Sequence, residues 1–139
     1  MGVRQAVLAV TVVVLVAAGA SACGGGSAAT YDAASTRACL SQSRAVREIR
    51  DQIFGVGPAA SLPAGSSWQG YAGQTQLAMA VMKTARDARA QVDLGHLYAG
   101  EVGGGPDIYS KGNVVLAWVG EPTDGDRKSV ESCLSTTES

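Results

Sequence analysis

The sequence predicts an α+β domain: a small, mostly antiparallel three-stranded sheet with helices packed mainly on one face, in the order α-β-α-β-β-α. Three observations lead there. Apolar residues recur at helical spacing near both ends of the polar part of the chain. Short, nearly continuous apolar runs lie between them, and Gly-rich stretches separate the runs.

Tyr31 to Phe54 reads as a first helix. Cys39, Val46, Ile49 and Ile53 fall at helical spacing, with Arg37, Arg44, Arg47, Glu48, Arg50 and Asp51 elsewhere around it. Gly55, Gly57 and Pro58 end it. From Gly55 to Gln74 no period is visible. Roughly 20 residues of such composition exceed an ordinary connection, so the segment reads as a long surface loop carrying Trp68 and Tyr71.

Gln76 to Met82 is short and nearly continuously apolar, which favours a buried strand. Thr84 followed by Asp87 resembles a capping box, opening a helix from Ala85 to about Tyr98 that buries Ala88, Val92 and Leu94 or Gly95. Gly100 to Pro106 reads as a second loop. Asp107 to Ser110, the turn Lys111-Gly112 and Asn113 to Val119 read as a hairpin, whose second strand is rich in β-branched and aromatic residues. Thr123 caps a last helix, with Asp124 and Asp126 near its positive end and Val130, Cys133 and Leu134 as its apolar positions.

The chain has 139 residues, 46% of them hydrophobic, and a net charge of −1. One ordinary domain fits that length. Eleven basic against twelve acidic residues give no electrostatic case for nucleic acid. The apolar weight is unevenly placed. Arg4 is the only charge before Asp32, and Ala6 to Ala20 is a run of small and β-branched residues. A basic start, a short apolar stretch and small residues after it are the layout of a secretory signal peptide. At about 15 residues the run is shorter than the roughly 20 a membrane-spanning helix needs.

Ala20-Ser21-Ala22-Cys23 resembles the bacterial lipobox. The resemblance implies that residues 1–22 are removed and that Cys23 carries acyl chains. Two or more chains hold a protein at a membrane where one does not. Cys23 to Thr30 is Gly/Ser-rich and uncharged, the composition of a flexible tether. Residues 31–135 then form the single domain, and 136–139 a C-terminal tail.

With Cys23 taken by lipid, Cys39 and Cys133 remain as an even pair in an exported chain, and a disulfide between them is expected. Free thiols, a metal site or a catalytic thiol are the alternatives, but neither cysteine has a second Cys or a His at ligand spacing.

Few side chains suggest chemistry. His96 is the chain's single histidine, the residue type most used in general acid–base catalysis, but no partner or nucleophile stands near it in sequence. Gly100 to Gly105 lacks the Lys-Ser or Lys-Thr of a phosphate loop and precedes a strand. Asp124-Gly125-Asp126 lacks the further acids of a calcium loop, and helix capping accounts for it. No cofactor and no metal is expected. Trp68 and Tyr71 are the better candidates, as aromatics that stack on a ligand or anchor a partner, although in a chain so poor in aromatics the favoured reading has the loop fold back and Trp68 cover a sheet face. Arg37, Arg44, Arg47 and Arg50 could lean on anionic lipid, although interspersed acids favour a solvated face.

The lipobox, the Gly-rich tether, Cys39-Leu40, Asn113-Val114-Val115-Leu116 and Cys133-Leu134 together resemble a group of small lipoproteins of high-GC Gram-positive bacteria. That resemblance implies an envelope location, on the extracytoplasmic face of the cell membrane, and no particular activity. The function expected is a non-enzymatic binding module that meets an envelope protein or a cell-wall ligand. A small envelope enzyme using His96 between the 55–74 and 100–106 loops, or a structural surface lipoprotein, are the alternatives.

Overall fold

The computed structural model describes residues 28–51, 62–102 and 107–135. Cys23, the expected signal segment, most of the expected tether, the 52–61 stretch and residues 103–106 and 136–139 lie outside the described residues.

The coarse class is α+β, as expected, but the sheet has five antiparallel strands instead of three. In chain order the elements are α1 (Ala33–Gln42), β1 (Arg47–Asp51), β2 (Ser67–Ala72), β3 (Thr75–Val81), α2 (Ala85–Val102), β4 (Asp107–Lys111), β5 (Val114–Val119) and α3 (Asp124–Ser132). The strands lie side by side as β1-β2-β3-β5-β4. Both extra strands come from segments whose sequence reads otherwise.

The first helix is the first correction. It ends at Gln42, not Phe54, because Ser43 closes it: the Ser43 amide and hydroxyl both donate to the Cys39 carbonyl, at 2.8 and 2.7 Å. Arg44 then takes a left-handed φ of 58°, which turns the chain back. The charges that suggested a solvated helix face become β1, an edge strand whose Arg47, Glu48, Arg50 and Asp51 are all exposed. Charged side chains on an edge discourage pairing with another chain.

The Gly55–Gln74 loop is the second correction. Its last third is β2, paired residue for residue with β3 from Ser67↔Ala80 to Ala72↔Thr75. The two hairpins, β2–β3 and β4–β5, each close through two residues. Gly73 and Gly112 come first in them, with φ of 60° and 56°. A positive φ at the first central position is the turn that suits the twist of paired strands, and Gly reaches it without strain.

Helices cover both faces, where one was expected. Leu77, Met79, Val81, Val114, Leu116 and Trp118 project to one face and pack with Leu40 of α1 and Val130 and Cys133 beside α3. Ala80, Val115 and Ala117 project to the other and meet Ala88 and Val92 of α2. Period-2 alternation in β3 and β5 sends successive residues to opposite cores, so both strands read as continuous apolar runs. The expected caps form: the Thr84 hydroxyl accepts from the Asp87 amide and the Thr123 hydroxyl from the Asp126 amide, both at 3.1 Å. α2 runs past Tyr98 to Val102, and Gly95 within it faces Ile108, where a Cβ would crowd Cδ1. No helix among the described residues is long and apolar enough to cross a membrane.

Three links hold the layers. Cys39 and Cys133 are joined, with Cα atoms 5.4 Å apart, and the bond ties the last turn of α1 to the end of α3. Asn113 is buried, and its carboxamide accepts from the Tyr31 amide at 2.7 Å while donating to the Tyr31 and Met82 carbonyls. Glu131 of α3 accepts from the Tyr109 hydroxyl and from Lys111 of β4, each at 2.9 Å. Beside it Arg127 bonds Asp107 at 2.8 Å and lies over the Tyr109 and Trp118 rings.

Two measurements test these links. Replacing both Cys39 and Cys133 by Ser should lower stability by about 4–5 kcal/mol, the chain-entropy value for a 94-residue separation, seen as a fall in the urea midpoint. Burial resists charge on Glu131, but hydrogen bonds from Lys111 and Tyr109 outweigh it and hold the carboxyl below its usual range. Its contribution is therefore complete above the ordinary glutamate pKa and is lost as pH falls through the lower folded value. Glu131→Gln should accordingly cost stability at neutral pH, and the gap to the wild type should close below about pH 4. Equal gaps at both pH values would show that the charge plays no part.

Candidate functional site

α2 packs on β4 and β5 and against Ala80 of β3. Register places Tyr71 beside Arg47 and Gln76, and Gln69 beside Arg50 and Ala78. Ser67, Gln69 and Tyr71 alternate on this face, Ser67 buried, Gln69 half-buried and Tyr71 exposed, while Trp68, Gly70 and Ala72 point to the α1 side. Among the described residues, this part of the face carries one aromatic ring, two guanidinium groups and two carboxamides.

A bulge in β1 shapes its rim. The register shifts by one between Arg47 and Arg50, and Glu48 sits there with a left-handed φ of 53°. An extra residue bends an edge strand and re-aims its side chains. Gly70 is the position that admits it. A Cβ there would overlap Val46 Cγ1 and stand 2.6 Å from the Arg47 carbonyl oxygen, so only a glycine lets the bulge press this close. Arg47 then reaches over the β2–β3 turn and donates to the Gly73 carbonyl at 2.8 Å.

The result is an open cleft of about 390 Å³ lined by Arg47, Glu48, Tyr71, Gly73 and Gln74. A smaller one of about 120 Å³ adjoins it along Arg50, Gln69 and Gln76, where the Gln76 amide donates to the Gln69 carbonyl at 3.4 Å. Tyr71 is 42% exposed. An aromatic face flanked by guanidinium, carboxylate and carboxamide groups can stack a flat or ring-shaped ligand and hydrogen-bond its edge.

The two aromatics singled out by sequence part company here. Trp68 is 1% exposed in the α1-side core, with the Arg37 guanidinium 5.9 Å from its ring centre and Arg37 itself held by Asp51. It is core, in line with the favoured reading that it covers a sheet face, and its candidacy as a ligand contact beside Tyr71 is set aside. His96 is exposed on α2 and lines none of these clefts. Asp124 and Asp126 lie in the first turn of α3, where the Thr123 hydroxyl bonds Asp126. Among the described residues no group of three His, Cys, Asp or Glu is placed to hold a metal. Gln69, Gln76, Glu48 and Gln74 escaped the sequence reading. The Trp-x-Gly-x-Ala alternation of β2 was the signal that would have shown them, and Gly70 hid it by resembling a loop residue.

Gly70→Ala should destabilise the domain by about 1–3 kcal/mol, since β1 must move to admit the methyl group. Gly125→Ala, where only Thr123 Oγ1 at 3.8 Å faces the new atom, should change the urea midpoint little. A Gly70→Ala midpoint equal to the wild type would remove the glycine's role in seating the bulge.

Comparison with protein-family models, with curated proteins and with solved structures finds no match for this chain.

Proposed function

We propose that the chain is an extracytoplasmic lipoprotein, anchored through acyl chains on Cys23, whose domain is a non-enzymatic binding module for an envelope protein or a cell-wall ligand. One observation carries the anchor. Of the three cysteines, Cys39 and Cys133 are joined to each other, so Cys23, at the end of a lipobox-like Ala20-Ser21-Ala22, is the one thiol left for modification. A paired thiol also suits a compartment outside the cytoplasm. The Tyr71 cleft supports the binding role, because its exposed aromatic ring stands on a strand, with half-buried Gln69 and Gln76 on the sheet beside it and Gln74 on the adjoining turn.

Mass spectrometry of the N-terminal peptide from membrane-extracted protein should show diacylglyceryl-modified Cys23 as the first residue. Cys23→Ala should abolish incorporation of a palmitate analogue and leave residues 1–22 attached. An unmodified Cys23 at a processed terminus would sink the anchor. For the module, a photo-crosslinking amino acid at position 71 should capture one envelope component that the same group at exposed Leu97 does not. Equal capture at both positions would count against the cleft.

A further inference from the structure

The sequence offers several clusters of cations, and the fold decides which of them stands beside the anchor. We infer that the domain rests on the membrane by one end, with Lys83, Arg86 and Arg89 against anionic phospholipid headgroups. This rests on the lipid anchor proposed above.

The exit of the anchoring segment is fixed by Asn113. Its carboxamide grips both the amide and the carbonyl of Tyr31 and, through the same Nδ2, the Met82 carbonyl at 2.8 Å. Two residues upstream of Tyr31, the Ala29 carbonyl lies so close to Gly112 that a Cβ there would overlap it. The chain therefore leaves the domain at the β4–β5 turn, beside the last residue before Lys83. The eight residues from Cys23 to Thr30 span at most about 28 Å, at roughly 3.5 Å each. An acylated Cys23 keeps this end of the sheet close to the bilayer.

α2 begins at the same end, since β3 delivers the chain there: Val81 pairs Val114 at the start of β5. Lys83, Arg86 and Arg89 are all exposed, and Arg86 and Arg89 are three apart on one outward stripe of α2. None of the three has an ion-pair partner among the described residues, whereas Arg37, Lys111 and Arg127 are matched to Asp51, Glu131 and Asp107. Of the nearby acids, Asp32 accepts from the Ser35 amide, which lowers its pKa. Asp87, in the first turn of α2, and Asp93, one turn past Arg89, are the two acids in the first half of the same helix, so the three cations exceed them by one.

The far end has the opposite character. Glu121, Asp124 and Asp126 gather where β5 passes into α3, next to the Gly73 turn. Arg47 is also at that end, bonded to the Gly73 carbonyl, and Arg44 precedes it. Of the arginines that sequence alone suggested for lipid contact, Arg37 is matched to Asp51, Arg44 and Arg47 lie toward the Gly73 turn, and Arg50 stands mid-strand opposite Gln69. The charge along the domain points its basic end at an anionic surface. Each cation that reaches such a surface is worth about a fivefold change in occupancy, so three together give about a hundredfold preference for this orientation.

The test uses lipoprotein extracted from membranes and reconstituted in vesicles of phosphatidylcholine, with or without about a third phosphatidylglycerol. A water-soluble amine-reactive reagent then reads the exposure of the chain's lysines, Lys83, Lys111 and Lys128. Lys83 labelling should fall severalfold in the anionic vesicles, while Lys128, on the helix across the sheet from α2, should be unchanged. About 1 M salt, with a screening length near 3 Å, should restore it. So should the surface variant Arg86→Glu with Arg89→Glu. Equal Lys83 labelling in both lipids, or protection of Lys128 instead, would overturn the inference. The mass of the N-terminal peptide is read on the same sample: an unmodified Cys23 would defeat the anchor proposal and this one with it, whereas an acylated Cys23 with Lys83 labelled equally in both lipids would defeat this inference alone.

Discussion

The bond between Cys39 and Cys133 is the constraint on which this architecture rests. α1 and α3 have only ten and nine residues, too short to hold as helices by their own propensity. Both must be kept by what they pack on, and the core they share has few large side chains beyond Trp68 and Trp118. Joining their C-terminal ends removes the freedom of each to leave without the other. The sheet face beneath them is then sealed, down to Leu40 and Val130 at 0% exposure.

The covalent tie on one face leaves the other to a single helix, and that asymmetry creates the surface. α2 buries Ala80, Val115, Ala117 and Ile108, small or branched residues that let it lie close. One helix about 10 Å wide cannot roof five strands spaced about 4.8 Å apart. Among the described residues, those beside α2 are the ones expected of a solvated strand face: Arg50 of β1, Gln69 and Tyr71 of β2 and Gln76 of β3. The Tyr71 cleft lies among them.

The legible elements were those whose local pattern and tertiary fate agree. β3, β5, the caps at Thr84 and Thr123, and the disulfide pair stand where the sequence put them. β1 and β2 did not, for separate reasons. Arg47 to Asp51 carries the charge of a helix surface because an edge strand is solvated on its outer side too, and period alone does not separate the two. Ser67 to Ala72 holds a glycine that belongs in the strand only because Val46 and the Arg47 carbonyl press on it from β1. That contact joins residues more than twenty positions apart, and no local pattern contains it.

By itself the sequence determined the α+β class, the helix caps, the strong strands and the pairing of Cys39 with Cys133, because each depends on residues close together or on simple arithmetic. Only the tertiary structure decided which face each helix covers, that Trp68 is core while Tyr71 meets solvent, and which cations stand beside the segment that leads into Tyr31. Those outcomes depend on Asn113 joining Tyr31 to Met82 and on Gly70 admitting the β1 bulge. Contacts between distant residues set them, and such contacts exist only once the chain has folded.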